Sequence, residues 1–251
     1  MKPLKRSGAR AAATLRTQAE AIRRAIARTQ PLLRVSIAGE RVVVSGPFDV
    51  IHEDVPIDTF HVRIELPKPG DSRAPRIYET AGRLPRELDR HVFADGGLCL
   101  FCPAVYWLHG YNKKPFDAFL EGPVRNFFLY QCARDYGVTW PHGELSHTAI
   151  GWLEFYSDLF HAPGEEAYRL LSFVAAHTPS PWAHCPCGRS ERPISDCHPE
   201  LLNVAARVPR AQLMAAVRKI GAELQRCGDR GLLQFPIPTP TAAGAQELVV
   251  Q

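Results

Sequence analysis

Seven cysteines, at positions 99, 102, 132, 185, 187, 197 and 227, are the residues of this chain best suited to do chemistry. A thiolate is both a nucleophile and a soft metal ligand, and which role it takes depends on its surroundings. Cys99 lies in Gly96-Gly97-Leu98-Cys99-Leu100, with His91 before it and Trp107 eight residues after it. Adjacent glycines permit close backbone approach and positive φ, which would leave a neighbouring thiol open to act as a nucleophile. The competing reading is a small buried hydrophobe between two leucines, since free cysteine is among the most buried residue types. Cys102, beside Pro103, reads as structural.

The second group is Cys185-Pro186-Cys187, a nine-residue spacer that opens with Gly188, then Cys197-His198. Three thiolates and one imidazole make a closed tetrahedral set that suits a structural Zn²⁺ and leaves no open position for a reactive water. His184 ranks behind His198 as the fourth ligand. The odd cysteine count and an N-terminus that is basic but lacks an apolar signal core argue against a disulfide framework.

The elements that must position these groups show in the hydrophobic pattern. Ala12, Leu15, Ala19, Ile22 and Ile26 recur at helical spacing across residues 10 to 30, which Pro31 ends. Leu33, Val35 and Ile37, then Val42 and Val44, alternate around Gly39-Glu40 as a hairpin. Residues 59 to 66 alternate most regularly, and 76 to 80, after Pro75, make a fourth strand. Residues 81 to 114 lack a period, and a stretch of that length inside a domain is more often functional than idle. Helical spacing returns at 115 to 132, 145 to 161, 164 to 177 and 209 to 226, with a Thr178-Pro179-Ser180-Pro181 linker and a proline-rich tail beyond Phe235. The fold class is therefore α+β.

The chain of 251 residues, 45% hydrophobic and 22% charged, has ordinary globular composition and no apolar run long enough to span a membrane. The expectation is a soluble, cytoplasmic protein. Its net charge of +4 is too small to indicate nucleic acid by itself. The charge is uneven: residues 1 to 30 carry eight basic side chains and one acidic one, leaving +7 there and −3 elsewhere. Arg16, Arg23, Arg24 and Arg28 would suit an acidic partner, though such runs are usually a solvated face.

The order of helix, four-strand meander, cysteine loop and helices resembles the ubiquitin-conjugating enzyme fold. Members of that family carry a histidine some way before the active cysteine, then glycine, a variable residue and an aliphatic residue leading into it, leucine after it and a tryptophan eight residues on. His91, then Gly96-Gly97-Leu98-Cys99-Leu100, and Trp107 match, over a likeness that spans about residues 10 to 165. The chain departs where the family has His-Pro-Asn and this sequence has His91-Val92-Phe93. That asparagine steadies the transfer oxyanion. Its absence resembles the divergent bacterial relatives found in ubiquitin-like conjugation cassettes linked to phage defence. The cysteine-rich stretch resembles the SEC-C zinc motif, with a spacer one residue longer than the common form.

The resemblance implies a conjugating enzyme that holds a ubiquitin-like protein as a thioester on Cys99. Its partners would be an activating enzyme and a protein substrate. His91 would shape the loop rather than act as acid or base, and Trp107 and Pro75 would pack. Asp95 and His109 would make polar contacts in the loop. Backbone N–H groups at Gly96 and Gly97, or the side chains of His109 or Asn112, would replace the missing oxyanion donor. The domains would be 1–177, conjugating; 178–230, zinc module and helix; and 231–251, tail. The alternatives are an inactive scaffold and a cysteine hydrolase pairing Cys99 with His91 or His109.

Overall fold

The computed structural model describes residues 4–137, 145–189 and 191–228, with side chains from Arg10 onward. The expected tail at 231–251 and Lys2 lie outside the described residues. Two compact units emerge, Met1–Glu144 and Leu145–Gln251. The domain boundary expected at 177–178 thus moves upstream, because the two helices before it pack with those that follow.

In the first unit, helix α1 (Leu4–Ile26) precedes strands β1 (Arg34–Ala38), β2 (Arg41–His52), β3 (Val55–Glu65) and β4 (Arg76–Glu79), an antiparallel meander in the order β1-β2-β3-β4. Leu15, Ala19, Ile22 and Ile26 are buried at the helical spacing the sequence displays. Ala12 is exposed, as are Arg16, Arg23, Arg24 and Arg28. Arg23 ties α1 to the sheet by donating to the Val35 carbonyl at 3.1 Å.

Strands β2 and β3 run longer than their alternation predicts, because Glu53 and Asp54 close them with φ of 49° and 63°. Positive φ at both central residues defines the hairpin turn that matches strand twist, usually signalled by Asn-Gly. Glu-Asp carries that signal poorly. Gly46, at φ +133°, lets β2 pass the first unit's backbone closely, since a Cβ there would lie 2.9 Å from the Leu32 carbonyl oxygen.

The expected helix at 115–132 divides into α3 (Phe116–Phe119), a wide π turn at Leu120–Val124 and α4 (Arg125–Asp135), with Gly122 non-helical and Pro123 next to it. A proline removes one backbone donor and glycine tolerates the distortion. Phe128 on α4 is wholly buried. Its ring lies 4.5 Å from Phe60 and 5.8 Å from Phe48, between centroids. Phe128→Ala should lower stability in this unit by about 3–5 kcal/mol, the usual cost of truncating a core phenylalanine. Hydrogen exchange of β2 and β3 amides measures it, and a loss under about 1 kcal/mol contradicts the packing.

The second unit contains α5 (Ala149–Phe160), α6 (Gly164–Ala176), the short α7 (Ile194–Cys197), α8 (Glu200–Arg207) and α9 (Arg210–Gly228). Leu153, Tyr156, Leu170, Leu171, Val204, Leu213 and Ile220 are buried among them. Arg210 caps α6, its Nε donating to the Ala175 carbonyl at 2.9 Å. No helix among the described residues is long and apolar enough to cross a membrane.

Candidate functional sites

The cysteine loop is more ordered than its lack of period predicts. A 3₁₀ turn at Leu88–Arg90 leads into His91, which is left-handed at φ 54°. The His91 carbonyl then accepts the Cys99 N–H at 2.8 Å. Val92 bridges Leu98 and Gly97 bridges Tyr78, so the loop lies along β4. Helix α2 (Ala104–Leu108) follows, a turn that Pro103 begins and no periodicity announces.

The tip is pinned by polar contacts. Gly96 takes φ +82°, which glycine accommodates without strain. Asp95 Oδ1 accepts the Gly97 N–H at 2.9 Å, and its other oxygen pairs with Arg76 on β4. The Gly97 N–H, and then Arg76, hold the Asp95 carboxyl below its ordinary range. Asp95 is thus the loop contact expected of it; Arg76 escapes a sequence reading because β4 meets this loop only in the fold.

The expected backbone oxyanion donors are engaged elsewhere. Gly96 N–H donates to the Phe93 carbonyl at 2.8 Å, Gly97 N–H to Asp95, and Leu98 N–H to the Ile77 carbonyl at 2.8 Å. Of the side-chain candidates, Asn112 is exposed and His109 stacks on Tyr111 with centroids 6.1 Å apart.

Cys99 is half-buried, and burial raises its thiol above the ordinary value. Cys102 is 6% exposed, and burial pushes its thiol up to about 12. Of the two, Cys99 is the one a reactant can approach. Trp107 packs edge-on against Tyr106 at 5.3 Å between centroids.

In the second unit, the Cys185, Cys187 and Cys197 sulfurs and a His198 ring nitrogen all lie within 4.8 Å of one another. Cys187 Sγ is 3.6 Å from Cys197 Sγ, and Cys185 Sγ is 3.1 Å from His198 Nδ1. These four side chains could hold a metal ion. A small β bridge between His184 and Pro193 presents the first pair, and α7 and α8 present the second. His184 is exposed and its Nδ1 is 2.9 Å from the Glu191 carbonyl, so it stands outside the set.

Two neighbours of this cluster carry no signal in the spacing. Glu166 on α6 is buried, with Oε1 3.8 Å from His198 Nε2. Arg189 donates from Nε to Glu166 Oε2 at 2.5 Å, and its backbone N–H lies 3.4 Å from Cys187 Sγ. Comparisons with protein-family models, with curated proteins and with solved structures return no match for this chain.

Proposed function

We propose that this protein is a conjugating enzyme which accepts a ubiquitin-like protein as a thioester on Cys99 and passes it to an amine. The observation that carries this reading is the placement of Cys99: a half-buried thiol in a pinned, glycine-bearing loop beside a four-stranded antiparallel meander. The Cys99 thiolate attacks the acyl carbon of the activating enzyme's thioester, and that enzyme's thiol leaves. A substrate amine then attacks the same carbon, a C–N bond forms, and the Cys99 sulfur leaves and takes a proton. His91 contributes through its backbone, which fastens the loop on Cys99.

Such transfer places negative charge on the acyl oxygen, and losing one donor there costs about 10²- to 10³-fold elsewhere. With the Gly96 and Gly97 amides engaged, His109→Ala or Asn112→Ala should slow discharge to lysine while leaving charging nearly unchanged. Single-turnover discharge of pre-charged protein measures this. The same engaged amides, together with Val92-Phe93 in place of Pro-Asn, favour a second reading, an inactive scaffold. Charged wild-type protein that never discharges to any amine would support that second reading.

The reading is tested by incubating the chain with ATP, an adenylating enzyme and a small β-grasp protein from neighbouring genes. A thiol-reducible adduct on Cys99 supports it. We further propose that the cluster in the second unit binds a structural Zn²⁺. A Zn–S bond of about 2.3 Å gives a tetrahedral edge of about 3.8 Å, close to the observed sulfur pair. Zinc would supply folding energy and no reactive water.

A further inference from the structure

We infer that Glu166 is the positioning residue of the metal centre, orienting the His198 imidazole so that Nδ1 faces the three sulfurs. This rests on the zinc reading above. Glu166 is 4% exposed, and its Oε1 has no hydrogen-bond partner among the described residues. A buried carboxylate oxygen with no donor is costly, so a donor belongs on that side.

The position of His198 supplies one. With Nδ1 3.1 Å from Cys185 Sγ, that nitrogen is the ligand, and Nε2 faces Glu166 Oε1 at 3.8 Å. A neutral imidazole that binds metal through Nδ1 carries its proton on Nε2. At 3.8 Å the pair attracts without a full hydrogen bond, and a small rotation of either side chain closes it.

The bland account of Glu166 is an acid in the first turn of α6, favourable to the helix dipole. Glu165 meets that need from an exposed position, so the dipole does not explain burial of the next residue. Charge balance agrees. Three thiolates and a divalent cation leave the centre net negative, and Glu166 adds to that charge. Arg189 offsets part of it, since it pairs with Glu166 while its N–H reaches Cys187 Sγ. Glu166 therefore grips the chain at both ends of the ligand spacer, after Cys187 and after Cys197.

The test is zinc affinity of the full-length protein, by competition with a chromophoric chelator, for wild type, Glu166→Ala, Glu166→Gln and Glu165→Gln. Loss of such a partner weakens metal binding about 10- to 100-fold, which is the expectation for Glu166→Ala. Glu166→Gln should recover much of it, because an amide oxygen also accepts from Nε2–H. Glu165→Gln should match wild type. A folded Glu166→Ala within twofold of wild type overturns the inference, and so does Glu166→Gln as weak as Glu166→Ala. If the alanine variant does not fold, ¹⁵N spectra of His198 in zinc-loaded Glu166→Gln decide it. Faster exchange of Nε2–H than in wild type supports the role, and unchanged exchange overturns it. A wild-type protein that binds no zinc removes the metal reading itself, a failure visible before any variant is compared.

Discussion

Removing the metal, by chelation or by Cys187→Ser, is expected to release residues 183–198 to near-unfolded hydrogen exchange while α6 and α9 stay protected. The knot has little else to hold it. Its backbone is tied by Cys185 N–H to Arg192 at 3.1 Å, Ile194 N–H to Ala183 at 2.9 Å and Ser195 N–H to Pro181 at 3.0 Å, Arg189 pairs with Glu166, and residues 181 to 184 are exposed. So short a segment cannot offset its own chain entropy through a few such bonds and one buried isoleucine. Structural zinc contributes about 10–16 kcal/mol of apparent binding energy in small peptides, ample to make the difference. Burial pushes the Cys185 thiol up. Helices α6 and α9 share a core of their own, with Leu170, Leu171, Leu213 and Ile220 buried. Elemental analysis should give one zinc per chain in wild type and almost none in Cys187→Ser. A metal-free protein whose knot remains protected would falsify the assignment.

Cys99→Ala is expected to abolish adduct formation, Cys99→Ser to yield an oxyester that resists reducing agents, and Cys102→Ser to leave charging intact. The contrast follows from access. Both cysteines sit in the same stretch of chain, yet Cys102 is 6% exposed with its thiol at about 12, while Cys99 is half-buried. Burial raises the Cys99 thiol as well, so less thiolate exists at neutral pH than for a free cysteine. The sign is definite: a raised value means that charging and alkylation of Cys99 speed up as pH rises, by about tenfold per unit until the thiol is titrated. Iodoacetamide labelling with mass mapping follows this without any partner protein. If Cys102 is labelled first, or if Cys102→Ser loses the adduct while Cys99→Ala keeps it, the assignment is reversed.

What the sequence determined by itself is what chain neighbours dictate. The α1 stripe, the alternation in β3 and the set Cys185, Cys187, Cys197 and His198 were all legible, because periodicity and ligand spacing are properties of adjacent residues. The α+β class followed from the order of those patterns. The remaining features depend on residues that meet from afar. Tertiary structure split the expected helix at Gly122-Pro123, lengthened β2 and β3 through a Glu53-Asp54 turn, and moved α5 and α6 into the second unit. It also spent the loop amides at Gly96 and Gly97 on Phe93 and Asp95. Glu166 shows the reason most clearly: in the sequence it is one of two acids opening a helix, and only packing decides that its carboxylate, and not that of Glu165, lies against His198.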